Sequence, residues 1–278
     1  MYVASLLIFG TNGLLVSRIS LPSSQIVLMR TLIGGIMLAA MVTLKGGFDK
    51  PAVRQDRLPL LLGGVALGLN WVALFEAYQV LNVSLATLIY YVGPILVLLL
   101  SPLLFHEKLT GRKALSAAVV AVGLVLISGS IVVAGASIRG LLVAMASAFL
   151  YASVIIANKK VARTNGLQTA AVEVAAAFVV VSVYTICTAG VPKIPAGEWP
   201  FVATIGLVNT GLAYLLYFSG LQKISGQSAA LISYLDPVSA LIFSAVFLHE
   251  AMTPVQLLGA VLMIGGAMLG ELKRKNHV

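Results

Sequence analysis

Hydrophobic residues make up 60% of this 278-residue chain and charged residues 10%, against about 25% charged in soluble domains. One or two soluble cores cannot hide that much apolar side chain, so the composition excludes an ordinary water-soluble fold and indicates an integral membrane protein. The net charge of +9 does not point to nucleic acid. The basic residues are scattered between apolar stretches, where they read as topology signals and contacts to anionic lipid headgroups.

A helix needs about 20 apolar residues to cross the hydrocarbon core. Ten stretches qualify, near 3–20, 25–44, 58–79, 84–105, 112–133, 138–158, 168–189, 199–221, 226–248 and 254–272. The first is the shortest. It begins at Tyr2 with no basic segment before it, so it is read as a span and not as a cleavable leader. The longest connection, 45–57, carries Lys45, Asp49, Lys50, Arg54, Asp56 and Arg57. Cys187 stands alone in an apolar run, where a buried small hydrophobe is the expected role.

With ten spans, both termini and the connections after spans 2, 4, 6 and 8 share one side. That side receives Lys45, Lys50, Arg54, Arg57, Lys108, Arg112, Lys113, Lys159, Lys160, Arg163, Lys223, Lys273, Arg274 and Lys275. The other side receives Arg18, Arg139 and Lys193, while Arg30 lies inside span 2. Fourteen basic residues against three predicts cytoplasmic N- and C-termini in a cell (cytoplasmic or inner) membrane.

The segment Phe75 to Thr110 recurs 143 residues later as Phe218 to Thr253, with twelve of 36 positions identical. The matches include Tyr91/Tyr234, Pro94/Pro237, Ser101/Ser244, His106-Glu107/His249-Glu250 and Thr110/Thr253. Five spans per copy turn the second copy over relative to the first. The expected fold is an all-α polytopic membrane protein with ten transmembrane helices as two inverted five-helix repeats, 1–135 and 136–278. The inversion puts the two His-Glu pairs on opposite faces, about 30 Å apart, so they are read as helix-end residues and not as metal ligands. In that reading each glutamate favours the N-terminus of the next helix, with Thr110 and Thr253 as caps. Gly64-x-x-x-Gly68 and Gly266-x-x-x-Gly270 predict close helix contacts, within a monomer or across a homodimer.

These features resemble the EamA branch of the drug/metabolite transporter superfamily. Each repeat has a mid-helix proline in its fourth helix (Pro94, Pro237) and a His-Glu-x-x-Thr run (His106 to Thr110, His249 to Thr253). Each also has a glycine-bearing fifth helix (Gly123, Gly266). The resemblance covers essentially the whole chain. It implies an inverted-repeat carrier with a central cavity for small metabolites, often moved outward, amino acids and related polar solutes being frequent substrates. It carries no substrate-reading motif.

Positions shared by both repeats are demanded by the fold, so costly polar residues present in one copy need another explanation. Asp236 lies about 11 residues into span 9, ~16 Å deep, and its counterpart is Gly93. An aspartate there costs roughly 2.5–3.5 kcal/mol, and Pro237 leaves the carbonyl of Ser233 without its helical donor. Asp236 is therefore the expected site of a cationic group or a coupling proton. Arg30 and Glu76 sit at similar depths near the external side and are expected to pair, as a clamp or a gate. Glu173 is expected at an interface. Tyr234, Tyr90, Tyr91, Trp71, Asn70, Asn209, Tyr214, Tyr217, Asn12 and Tyr151 are the candidate lining of a polar cavity, since their polar atoms need partners.

With no GxxxxGK[ST] run, the leading expectation is a secondary transporter working by alternating access, exporting a small polar metabolite such as an amino acid, with proton coupling. No cofactor or metal is expected, and the partners are a small-molecule substrate and the lipid bilayer. The runner-up within the class is an organic-cation or drug carrier of the same fold. Outside it stand an intramembrane enzyme, for which Asp236 and Glu76 would form the acid pair, and an accessory membrane protein.

Overall fold

The computed structural model describes residues 1–81, 83–128, 137–249 and 252–271, and among them the chain is helical throughout, without a strand. In lipid every backbone N–H and C=O must be satisfied inside the chain, and helices do this segment by segment. In chain order the helices are α1 (Tyr2–Gly10), α2 (Asn12–Val16), α3 (Ser23–Leu44), the short α4 (Lys50–Gln55), α5 (Arg57–Val80), α6 (Val83–Tyr90) and α7 (Val92–Phe105). There follow α8 (Gly111–Ile127), α9 (Ile138–Lys159), α10 (Gly166–Ala189), α11 (Trp199–Gly206), a π-helical turn (Leu207–Leu212) and α12 (Ala213–Leu221). The last are α13 (Gly226–Ile232), α14 (Leu235–Phe247) and α15 (Pro254–Glu271).

Eight of these rods are long and apolar enough to cross a membrane: α3, α5, α6–α7, α9, α10, α11–α12, α13–α14 and α15. Two of the ten expected spans fall short. The first is split at Thr11, whose Oγ1 bonds the Ile8 carbonyl at 2.7 Å and so competes with the helical ladder. The fifth appears as α8, 17 residues long, with 129–136 outside the described residues.

Hydrogen bonds tie four connections together at one end of the bundle. The Asp56 carboxylate accepts from the backbone of Ala162, Arg163 and Thr164 and from the Thr164 hydroxyl, at 2.6–3.2 Å. Gln222 Nε2 donates to the Thr164 carbonyl and Gln168 Nε2 to the Gly47 carbonyl. Lys159 Nζ donates to the carbonyls of Leu221 and Ile224. Glu107 accepts from the backbone of Gly226 and Gln227 at 2.7 and 3.0 Å. These connections are flanked by Lys45, Lys50, Arg54, Arg57, Lys108, Arg112, Lys113, Lys159, Lys160, Arg163 and Lys223, so this is the basic end. Lys273, Arg274, Lys275, His277 and Glu250 lie outside the described residues. At the far end Glu198 accepts from the backbone and hydroxyl of Ser20 at 3.0 and 2.6 Å, and Gln25 Nε2 reaches the Ala189 carbonyl at 2.8 Å.

Burial at Asp56 pushes its carboxyl up, but the bonds from Thr164, Arg163 and Ala162 outweigh this and hold it below the usual carboxylate range. The two histidines of the repeat end their helices in the left-handed region, at φ 54° for His106 and 56° for His249. Glu107 corrects the cap reading, because it caps α13 across the bundle and not the helix that follows it. Thr110 does cap α8, accepting from Lys113 N at 3.4 Å. Cys187 corrects another expectation: it faces outward near the end of α10.

Packing runs α5 along α9 and α10, α3 along α10 and the π turn, α1 between α12 and α14, α7 along α9, and α8 along α15. Both GxxxG pairs work inside the monomer. A Cβ on Gly64 would come 2.7 Å from the Glu173 carbonyl oxygen, and one on Gly266 would come 2.8 Å from Val120.

Candidate functional site

Where the chain lacks a helical donor, it breaks. Pro237 has no N–H, and the rod is interrupted between α13 and α14, Asp236 N turning back to bond the Ser233 carbonyl at 3.1 Å. The carbonyl expected to be orphaned is thus satisfied locally. Asp236 lies in the first turn of α14, where unpaired N–H groups and the helix dipole favour a carboxylate. The matching break lies at Tyr91, three residues before Pro94, and the two breaks face each other. The Tyr91 hydroxyl donates to Asp236 Oδ2 at 3.2 Å, and the Tyr234 hydroxyl donates to the Tyr91 carbonyl at 2.7 Å.

Beside these breaks is a cavity of about 110 Å³, lined by Asn12, Arg30, Asn70, Trp71, Tyr90, Tyr151, Tyr214, Tyr217 and Asp236, with Leu6, Phe9, Leu67 and Val154. Eight helices converge on it. The aromatic walls interlock: Tyr90 meets Tyr151 edge-on at 5.3 Å, and Trp71 meets Tyr214 at 5.8 Å.

Arg30 enters from α3 with its guanidinium 5.6 Å from the Trp71 ring centroid. Its Nε donates to Thr210 Oγ1 at 2.8 Å and its Nη2 to the Asn209 carbonyl at 3.0 Å. The π turn makes this geometry. Thr210 Oγ1 also reaches back to the Ile205 carbonyl at 3.0 Å, and the wide turn leaves the Asn209 carbonyl free for the guanidinium. Nη1 has no acceptor among the described residues. Nor are Arg30 and Asp236 closed on each other: the ion pair among the described residues is Arg139–Glu76 at 3.6 Å. Asn12 contributes a buried Oδ1 with no partner. The cavity therefore presents a guanidinium, a carboxyl group and an orphan acceptor, each held by the protein and none closed on another. A solute carrying both charges fits that chemistry.

Eight of the residues expected around the cavity thus line it: Asp236, Tyr90, Trp71, Asn70, Tyr214, Tyr217, Asn12 and Tyr151. Tyr91 is outside the lining and touches the site through Asp236 and the Tyr90 ring, 5.1 Å away. Tyr234 is 2% exposed and its hydroxyl is engaged by backbone. Asn209 is equally sealed, donating to the Ile8 carbonyl at 2.8 Å and Thr11 Oγ1 at 2.9 Å, which fastens the α1–α2 break. The expected Arg30–Glu76 pair is not formed. Glu76 accepts from the Tyr184 hydroxyl and meets Arg139 at the far end, because α5 carries it past the cavity to the rim. Glu173, expected at an interface, is 0% exposed: α10 begins at Gly166, so α5 and α9 enclose this position. Sequence reasoning read Arg30 only as half of a clamp or gate with Glu76, and nothing in the Gly-Leu-Val-Asn-Thr-Gly run announces the π turn that aims it.

The sequence profile of the EamA-like transporter family matches residues 1–129 and 138–270. The uncharacterized transporter YxxF of Bacillus subtilis (strain 168) is 28% identical over 277 residues, covering 98% of this chain and 89% of that one. Protein PecM of Dickeya dadantii (strain 3937) is 25% identical, covering 87% of this chain and 80% of that one. The threonine/homoserine exporter RhtA of Escherichia coli (strain K12) is 24% identical over 77% of this chain and 71% of its own length. A solved crystal structure superposes with a TM-score of 0.87 at 22% identity, covering 96% of this chain and 95% of the other, and shares the fold.

Proposed function

This chain belongs to the EamA-like transporter family, and we propose that it is a secondary carrier exporting a small zwitterionic solute of the amino-acid class across the cell membrane. The observation that carries this reading is Asp236 and Arg30 facing one cavity without pairing. An ammonium group binds Asp236 Oδ1 and the orphan Asn12 Oδ1, and a carboxylate binds the free face of the Arg30 guanidinium. The aromatic walls hold the carbon skeleton between them. The similarity to a threonine/homoserine exporter supports the solute class and the outward direction. A carboxylate vacated by an ammonium group can return with a proton, which is the coupling expected here.

The drug-carrier reading loses ground on two counts. A cavity of about 110 Å³ is small beside the roughly 300–1,000 Å³ of drug-sized sites, and Arg30 repels a simple organic cation. The enzyme reading required Asp236 and Glu76 together, and Glu76 is engaged elsewhere.

For alternating access we propose ten crossings in two inverted halves, 1–135 and 136–278. Two counterpart pairs at the 143-residue offset touch, as residues beside a two-fold axis do: Trp71 meets Tyr214, and Tyr91 meets Tyr234. The packing also mirrors itself, α5 on α9 answering α12 on α1, and α7 on α9 answering α14 on α1. Each end has a matching clasp, Asp56 on the 162–164 turn and Glu198 on Ser20. The segregation of lysine and arginine to one end supports cytoplasmic termini.

The test is exchange of labelled solutes in proteoliposomes. Competition should require both charges, so that an amine lacking the carboxylate and an acid lacking the amine both fail. Asp236→Asn and Arg30→Lys should each weaken exchange by about tenfold to a hundredfold, the loss of one charge-assisted hydrogen bond. Transport of quaternary amines that zwitterions do not inhibit would refute the reading.

A further inference from the structure

At the 143-residue offset the counterpart of Arg30 is Glu173. One copy places a cation at this helix position and the other an acid, and the two have different surroundings. Arg30 faces the cavity, whereas Glu173 is fully enclosed where α10 meets α5 and α9. Gly63 leaves room for it: a Cβ there would lie 2.5–2.9 Å from the Glu173 carboxyl atoms. Asn158 of α9, itself 1% exposed, donates its Nδ2 to both carboxyl oxygens at 2.8 and 3.0 Å. The same Nδ2 also leans on the Val154 carbonyl at 3.1 Å, and Asn158 Oδ1 has no partner.

Among the described residues no cation comes within ion-pair distance of Glu173. On α9, Lys159 is occupied by the carbonyls of Leu221 and Ile224 and Arg139 is at the far end, and just past α9 Lys160 lines a groove between α5 and α9 on the outer surface. On α5, Arg57 lies more than a turn before Gly63, and Glu76 belongs to the far end. Asp56 is taken up by the 162–164 turn. On α3, Arg30 is bound to Thr210 and Asn209, and α12 offers tyrosines and no charge. An ionised carboxylate sealed in apolar packing with one amide donor is strongly disfavoured, and such a group takes up a proton instead. Ionisable side chains that a membrane protein keeps in this state are functional by default.

We propose that Glu173 is a proton-binding site, neutral in the packed conformation described here and ionised when the α5–α9–α10 junction at the basic end loosens. The first half stands on the geometry alone. The second rests on the carrier reading above. On loosening, the carboxyl O–H bond breaks, the electron pair stays on the carboxylate, and the proton passes to water at the basic end. The packed form then holds one proton more than the loosened form, so rising pH favours loosening.

The site is read by infrared spectroscopy of the purified protein at neutral pH, without any substrate. In an Asp236→Asn background, the carbonyl stretch of a neutral carboxylic acid should be present and should be lost when Glu173→Gln is added. Asn158→Ala keeps the acid and removes its donor, so in the same background the band should move to higher frequency. Absence of the band in Asp236→Asn, survival in the double variant, or no movement on adding Asn158→Ala would overturn the site. The coupling is read in proteoliposomes. Glu173→Gln should flatten the pH dependence of exchange while substrate affinity, measured by calorimetry, stays within about twofold. An unchanged pH profile in Glu173→Gln would overturn the coupling while leaving the infrared result, and the carrier reading, to stand or fall on their own.

Discussion

Alanine in place of Gly123 brings a methyl group 2.6 Å from the Gly259 carbonyl oxygen and 2.9 Å from the Met263 nitrogen. Both are backbone atoms, so neither can swing aside. Ordinary contact begins at 3.4 Å, which makes the α8–α15 seam about 0.8 Å too tight for the substitution. Parting the helices by that distance also stretches the bond from Ser116 Oγ to the Gly266 carbonyl, now 2.5 Å. Gly265, on α15 but facing outward, has nothing within 4 Å of the corresponding position. Both substitutions gain about 1 kcal/mol of helix propensity. Their difference therefore isolates the overpacking term, about 1–3 kcal/mol. Equilibrium unfolding in mixed micelles should find Gly123→Ala less stable than Gly265→Ala by that amount. Agreement between the two within about 0.5 kcal/mol, the scatter of neutral surface changes, would show that the seam is not close-packed at Gly123.

Asp56→Asn should lower the melting temperature in detergent at pH 7. The wild-type carboxyl is held below its unfolded value of about 3.9, so its stabilisation is present above that pH and lost as the pH falls through the lower folded value. The gap between wild type and variant should close on acidification, and a gap that stays constant down to pH ~3 would refute the clasp. Tyr91→Phe removes the donor to Asp236 and should raise the KM for exchange by about twofold to tenfold; an unchanged KM would take Tyr91 out of the site. Glu76→Gln keeps an acceptor for Tyr184 and breaks an exposed pair worth about 0–1 kcal/mol, so melting should shift by no more than about 2–4 °C with KM unchanged. A tenfold loss of exchange would restore Glu76 to the mechanism.

Much of the fold was legible because lipid leaves few choices. Long apolar runs become helices, and the duplication at 143 residues located both broken rods through Pro94 and Pro237. The shortfalls are local. Thr11 breaks the first rod through its own side-chain bond, a competition that hydropathy does not register. Of the candidate site, the single-copy acid Asp236 and the aromatic wall were readable from residue type and depth. Tyr234 and Asn209 lie outside the cavity lining for a common reason: helix breaks free backbone carbonyls, and these take the Tyr234 hydroxyl and the Asn209 Nδ2 as donors. Arg30 and Glu76 are expected at similar depth, but α5 carries Glu76 past the cavity to Tyr184 and Arg139 at the rim, and a count from an apolar boundary does not register such an offset between helices. The Asp56 clasp joins residues 106 to 108 apart in sequence, and no local pattern signals it.

The chain has nine acidic residues, and most of the described ones hold something in place. Asp49 caps α4, Asp56 and Glu198 fasten turns, Glu107 caps α13, Glu76 meets Tyr184 and Arg139, and Glu271 accepts from Ser228. Among the described acids, Asp236 and Glu173 alone are turned inward to a cavity or a sealed junction. Replacing the acids one at a time by their amides should therefore sort these positions into two phenotypes: looser protein that still works, at the fasteners, and intact protein with altered handling of solute or protons, at the two interior positions.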